Sequence, residues 1–219
     1  MLTQSHFGTT WFCGFVALIA WAALLLGSWD GRRPARTSVA LFAAAVFAFS
    51  KTASSHAADA GDFALPEWVH WAHLCATAAW TGLVIASGLC VLPMLREHAD
   101  GQNLARFVGR LSAAATLAVA VVLMSGIYNA DRGLGGSLVP LMCSDWGRIL
   151  AAKLVLVAVA IVLGGVNRLV YLPRVRNGAP SSAAHAFLTI LRVEAVAMVG
   201  VLSAAAVLAH TAPGAHLGI

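Results

Sequence analysis

The sequence predicts an all-α, polytopic membrane protein: a bundle of six transmembrane helices with both termini in the periplasm. Composition is the first observation behind this fold class. Of the 219 residues, 60% are hydrophobic and 11% are charged, whereas a soluble domain has about 25% charged residues. Six spans of ~20 residues each would use about 120 residues, nearly all of the hydrophobic ones. We therefore expect a single integral membrane domain over residues 1–219, embedded in a lipid bilayer.

Six apolar runs along the chain are the second observation. The third run follows Pro66, and proline suits the first turn of a helix because the N–H it lacks would have no partner there. Two further prolines, Pro173 and Pro213, are expected to close the fifth and sixth runs. The predicted spans cover residues 9–28, 38–55, 67–95, 104–129, 146–171 and 184–210.

The distribution of basic residues is the third observation. Lys and Arg collect in the cytoplasmic loops of membrane proteins, and most of the 14 basic residues here lie around the loops that follow the first, third and fifth spans. Both termini are therefore expected on the outer side of the membrane. The net charge of +5 then reflects orientation and not binding to nucleic acid. The residues that set the orientation are Arg32, Arg33, Arg36, Arg96, Arg106, Arg110, Arg168, Arg174, Arg176 and Arg192.

Most side chains that can bind a metal lie on the predicted outer side of the membrane. They are six of the eight histidines, Met142 and Cys143. Imidazole, thioether and thiolate ligands together favour copper. His70 and His73 are three residues apart, so they share one face of a helix. His73 lies about two turns into the span, where a polar ring needs a partner or a function. For the other histidines, hydrogen bonding to water or lipid headgroups is the competing interpretation. The candidate copper ligands are His56, His70, His73, His210, His216, Met142 and Cys143.

Three more residues inside predicted spans are candidates for function. Lys153 lies about two turns from the outer end of the fifth span, and Glu194 lies about two turns from the inner end of the sixth. Ionisable groups are costly inside a membrane and are usually functional there. Their opposite depths argue against a direct pair, and a structural pairing with Asn167, Arg192 or another helix is the alternative. Trp80 stands in mid-span, away from the interfaces where indole rings anchor helices.

Several short motifs follow one another in a fixed order. His73 precedes Trp80 by seven residues, in a histidine–small–tryptophan–x–glycine helix, and Arg192-x-Glu194 stands in the last span. The other motifs are Ser54-Ser55-His56-Ala57, Leu92-Pro93, Trp146-Gly147-Arg148-Ile149-Leu150-Ala151-Ala152-Lys153, Asn167-Arg168 and Pro213. Over about residues 56–213 this order resembles the copper resistance D (CopD) family. The sequence departs from the family pattern at Ser55, Trp146 and His70, where glycine, tyrosine and commonly aspartate stand.

The resemblance implies an inner-membrane protein of copper transport and copper resistance. Such proteins are expected to work with a periplasmic copper carrier of the CopC type and to move copper into the cytoplasm. Lys153 and Glu194 would then gate the metal or compensate its charge. We expect no enzymatic activity, because G-x-S-x-G, H-E-x-x-H and Walker motifs are absent from the sequence. A homo-oligomer is left open.

Two other functions remain open from the sequence alone. A b-type haem protein in electron transfer would use His73 and His210, because two histidines on different helices can be the axial ligands of one haem iron. Such a haem would be non-covalent, since no C-x-x-C-H motif is present. The third hypothesis is a structural subunit without any ligand.

Overall fold

The computed structural model describes residues 6–26, 34–55, 61, 63–98, 101–177 and 181–212. In these ranges the regular structure is entirely helical, as the composition predicts. Two short π-helical turns, in which the hydrogen bonds span five residues, interrupt long helices. The helices are α1 (His6–Leu26), α2 (Pro34–Ala53), α3 (Leu65–Ala86), α4 (Leu92–His98), α5 (Gly101–Leu134), α6 (Val139–Cys143), α7 (Asp145–Val166), α8 (Leu172–Arg176) and α9 (Ser181–Leu208), and the π-helical turns are Ser87–Val91 and Asn167–Tyr171.

Five helical segments in the described part of the chain are long and apolar enough to cross a bilayer. The chain is therefore a polytopic helical membrane protein. Each of the six predicted spans falls on a long helix, but α2 is not among the five. Its apolar residues are diluted by Arg36 and Lys51 and by hydroxyl side chains. The count of six spans stays a prediction. The five segments are Gly8–Leu26, Leu65–Leu95, Gln102–Leu134, Asp145–Arg176 and Ser182–Leu208.

The described residues group into two compact units, Met1–Cys75 and Ala76–Ile219. In the first unit α1 packs along α2. The start of α3 joins α2 through the indole of Trp71, whose Nε1 donates to the Ala45 carbonyl at 3.0 Å. The ring of Phe49 packs against Trp68 and Trp71, with centroids 5.2 and 6.4 Å away. Aromatic contacts therefore fix the helix end that carries His70 and His73.

The second unit is built around one apolar core. Side chains from the second half of α3, from α5, from α7 and from α9 meet there, and α7 packs along α9. Trp80 and Met198 are among its largest fully buried side chains. Many leucines and valines on the outer faces are exposed instead. This arrangement suits a lipid environment, in which only the backbone polar groups must be satisfied internally.

Two prolines, Pro93 and Pro173, stand inside continuing helical structure. The chain continues as helix through Pro93 to His98, and through Pro173 to Arg176. Proline removes an N–H donor and clashes with the carbonyl four residues before it. A π-helical turn precedes each Leu-Pro pair, and the amide of the leucine bonds to the carbonyl five residues back. The wider turn accommodates the proline, so the prediction that Pro173 closes its helix is wrong. Pro213 lies outside the described residues.

The helices from Leu65 onwards repeat after 80 residues. Leu65 and Asp145, Ser87 and Asn167, Leu92 and Leu172, and Gly101 and Ser181 are the corresponding first residues of equivalent elements. Equivalent positions of α5 and α9 are buried, among them Leu111 and Leu191. The order of helices therefore occurs twice, and each copy, which we call a hairpin after its two long helices, has its own π-helical turn. Of the two pairs of long helices, α7 and α9 pack along each other.

Arginine contacts within the second unit follow this repeat. Arg192 of α9 donates through Nε to the Gly88 carbonyl in the first π-helical turn, at 3.3 Å. Arg168 in the second π-helical turn donates through Nη1 to the Ser112 carbonyl of α5, at 3.1 Å. Ser112 and Arg192 are equivalent positions in the repeat, and so are Gly88 and Arg168. The second helix of each hairpin thus touches the π-helical turn of the other hairpin.

The junction of α6 and α7 depends on a glycine. The hydroxyl of Ser144 caps α7 by accepting from the Gly147 N–H at 2.9 Å. A Cβ at Gly147 would overlap the Pro140 carbonyl oxygen and the backbone of Leu141. Close approach of two backbones is what glycine permits.

We predict that Gly147→Ala lowers the midpoint of thermal unfolding in detergent. Overpacking against a backbone costs about 1–3 kcal/mol. Gly109→Ala is the matched control, because no atom lies within 4 Å of its added Cβ and alanine favours a helix by ~1 kcal/mol over glycine. The assignment of the junction fails if both variants unfold at the wild-type temperature.

Candidate functional site

The two histidines of α3 lie on one helix face. His70 and His73 are both half-buried, and they fall in the second and third turns of the helix. The structure therefore brings together two of the predicted copper ligands.

The other predicted ligands do not join them in the described part of the chain. His210 is exposed in the turn after α9, and Met142 and Cys143 are exposed on α6. His56 and His216 lie outside the described residues. Among the described residues no group of three or more His, Cys, Asp and Glu is close enough to hold a metal ion. Convergence of these residues on one copper site stays a prediction.

The described residues add no support for a role of Lys153 or for the haem alternative. Lys153 is half-buried in α7, and its functional role stays a prediction. The two haem ligands, His73 and His210, belong to different compact units. Bis-histidine haem ligation therefore stays a prediction without structural support.

A cavity in the second unit contains the other predicted residues. Its volume is about 220 Å³, and α3, α5, α7, α9 and the second π-helical turn contribute to its wall. Most of the wall is apolar. The polar residues that line it are Trp80, Ser112, Thr116, Asn167, Arg168 and Glu194. Trp80 and Glu194, which the sequence places on different spans, therefore meet at one site.

Glu194 lies at the buried side of this cavity, with a side chain that is 4% exposed. The Trp80 side chain hydrogen-bonds to its carboxyl group. Gly164 of α7 leaves room for the carboxyl, since an added Cβ would lie 3.2 Å from Oε1. The carboxyl group is thus held by an indole on one side and faces bare backbone on another.

Asn167 and Arg168 shape the rest of the polar wall. The Asn167 amide donates through Nδ2 to the Phe187 carbonyl at 3.2 Å, while its buried Oδ1 accepts no hydrogen bond. Arg168 Nη1 lies 3.0 Å from Ser112 Oγ and 2.8 Å from Thr116 Oγ1. The guanidinium is therefore bound to α5 and not to Glu194.

Sequence reasoning missed the contribution of α5 and of Gly164 to this site. Ser112 and Thr116 are four residues apart, a spacing that puts two hydroxyl groups on one helix face. Gly164 and Gly165 form a small-residue pair, which in a membrane permits close helix contact. These signals are present in the sequence, but they are common in helix bundles. Only the tertiary structure selects them.

We predict that Trp80 and Glu194 are energetically coupled. Trp80→Phe removes the hydrogen-bond donor, Glu194→Gln removes the charge, and the double variant should lose less stability than the sum of the single losses. Coupling energies between contacting residues are about 0.5–3 kcal/mol. Unfolding in mixed detergent micelles measures them, with Trp11→Phe, an exposed tryptophan, as the control in place of Trp80→Phe. Strict additivity of the Trp80 and Glu194 effects would contradict the contact.

Comparisons with known proteins show which family this chain is similar to. The sequence model of the family described as copper resistance protein D (CopD) matches residues 105–208, which include α7, α9 and most of α5. No solved structure matches the chain.

Two curated relatives are similar over different lengths. "Copper resistance protein D" of Pseudomonas syringae pv. tomato is 26% identical, over 100% of this chain and 73% of the relative. "Inner membrane protein YebZ" of Escherichia coli (strain K12) is 33% identical, over 49% of this chain and 36% of the relative. The family match, over just under half of the chain, and the similarity along the whole chain together support the CopD family for this protein.

Proposed function

We propose that this protein handles copper in a bacterial inner membrane, binding the metal and passing it across without catalysing a reaction. One observation carries the proposal: the whole chain is similar to a protein that is named for copper resistance. The second relative, named an inner membrane protein, supports the location. Five apolar segments of spanning length support a multi-pass arrangement.

His73 and His70 are the proposed first ligands of the copper. Two imidazoles on one helix face can reach one ion, and nitrogen ligands suit copper better than they suit magnesium or calcium. Both rings are half-buried in the first three turns of α3. The proposed accessory ligands are His56, His210, His216, Met142 and Cys143.

The proposed orientation places these histidines on the periplasmic side. Basic residues collect at the opposite helix ends, among them Arg174 and Arg176 of α8, as expected of cytoplasmic loops. With α2 as a sixth span, both termini face the periplasm. Copper would arrive from a periplasmic carrier of the CopC type. The sequence contains no nucleotide-binding motif, so the copper gradient, the membrane potential or a coupled ion drives the movement.

We predict that His73→Ala abolishes the copper-dependent growth phenotype of cells that depend on this protein. Loss of one imidazole should lower the copper affinity of the purified protein by at least ~10-fold, the lower end of what even indirect partners of a metal site contribute. Copper per protein after equilibrium dialysis, measured by elemental analysis, checks the affinity directly.

His185→Ala is the matched control. His185 is an exposed histidine of α9 near the basic ends of the helices, so its loss should leave growth and copper content unchanged. The histidine assignment is wrong if the His73 variant inserts into the membrane and takes up copper at the wild-type rate.

A further inference from the structure

The cavity of the second unit lies between the two copies of the hairpin. Trp80 and Ala160, Val84 and Gly164, and Leu111 and Leu191 are pairs of equivalent positions, and all six residues line it. These three pairs show that the same positions of both copies form part of its wall. A volume of about 220 Å³ leaves room for several water molecules at about 30 Å³ each.

The polar groups of the cavity break this symmetry. Glu194 and Asn167 correspond to Ala114 and Ser87 in the first copy, and Trp80 corresponds to Ala160 in the second. One copy thus has small side chains where the other has a carboxyl, an amide or an indole.

The carboxyl group of Glu194 has little to stabilise its charge. A buried ion costs several kcal/mol unless other groups compensate it, and the hydrogen bond that the structure gives Glu194 comes from Trp80. Arg168 is the other charged residue of the cavity wall, and its Nη1 is bound to Ser112 and Thr116.

The helices packed around Glu194 offer no further titrating group to it. From α3 the lining residues are Trp80 and Val84, and from α7 they include Gly164. From α5 the polar lining residues are hydroxyl-bearing. On α9 itself, the exposed Arg192 donates to the Gly88 carbonyl. Protonation of the carboxyl is therefore the available way to remove its buried charge.

Asn167 supplies the complementary acceptor. Its Oδ1 is buried without a hydrogen-bond partner, which is unusual because buried polar atoms are nearly always bonded. A protonated carboxyl group is a donor as well as an acceptor. Asn167 and Glu194 both line the cavity, so the unpaired acceptor and the carboxyl group belong to the same polar part of its wall.

We propose that this cavity is a proton-binding site, in which Glu194 takes up and releases one proton through cavity water. A hydronium ion gives its proton to a carboxylate oxygen, an O–H bond forms, and a water molecule is left. Trp80 donates a hydrogen bond to the ionised state, and the protonated state carries no charge that needs compensation. The inference does not rest on copper binding, and its test contains no copper.

The experiment is labelling with dicyclohexylcarbodiimide, an apolar reagent that adds to protonated carboxyl groups, followed by peptide mass spectrometry. In the detergent-solubilised full chain we expect Glu194 to be labelled. The yield should fall by roughly tenfold for each pH unit above the titration midpoint. Glu194→Gln should abolish this label, and Trp80→Phe, which removes the donor to the ionised state, should raise the yield at alkaline pH.

Glu67 offers the matched control. It is also buried, at 2% exposure, but its Oε2 accepts from the Phe63 N–H at 2.6 Å, so it is bonded as a carboxylate at a helix start. Glu67→Gln should leave the labelling of Glu194 unchanged.

Infrared spectroscopy keeps the test decisive if the reagent does not reach the cavity. A pH-dependent carbonyl band of a protonated carboxylic acid, present in the wild type and lost in monodisperse Glu194→Gln, supports the proposal. The proposal is overturned if that band is absent in the wild type, or if Glu194 is labelled to the same extent at every pH.

Discussion

The structure depends on how two proline-interrupted helices keep their backbone bonded where no water is available. Pro93 has no N–H, and the amide of Leu92 bonds to the Ser87 carbonyl. The Gly88 carbonyl therefore receives no hydrogen from either residue, and in lipid such an orphan costs several kcal/mol. Arg192, from the other hairpin, supplies the hydrogen. A carbonyl group left without a backbone donor in one helix is thus hydrogen-bonded by a side chain from another helix. This hydrogen bond links the two hairpins.

The contact between Arg192 and the Gly88 carbonyl also affects the cavity that contains Glu194. Arg192 and Glu194 are two residues apart on α9, so the contact that satisfies the first π-helical turn also sets the rotation that turns Glu194 towards Trp80 and Gly164. On the other side, Arg168 bonds to α5 directly after Asn167 in the chain. Arg168 and Arg192, which form the hydrogen bonds between the hairpins, are therefore close in sequence to the polar cavity residues Asn167 and Glu194. The motifs Asn167-Arg168 and Arg192-x-Glu194 each contain one arginine that bonds to the other hairpin and one polar residue that lines the cavity.

The sequence predicts the helices well because long apolar runs have few alternatives in a membrane protein. It also selects Trp80 and Glu194, since a mid-span indole and an intramembrane carboxyl are rare. It does not reveal that the two meet, because that contact joins residues 114 positions apart and depends on packing. The prediction that Pro173 ends its helix is wrong for a local reason. Proline usually ends a helix, but the π-helical turn before Pro173 lets the helix continue. The repeat of Leu92-Pro93 at Leu172-Pro173 is a signal from which both the turn and the duplication could have been inferred.

Amide hydrogen exchange measured by mass spectrometry tests most directly whether an arginine of one hairpin completes the backbone of the other. Arg192→Met retains an apolar stem but no donor, and Arg174→Met removes an exposed arginine of α8 for comparison. In Arg192→Met the amides of residues 87–95 should exchange faster, because local opening becomes easier when a bonded group is orphaned. The Arg174 variant should match the wild type in that segment. Wild-type exchange there in Arg192→Met would contradict the account.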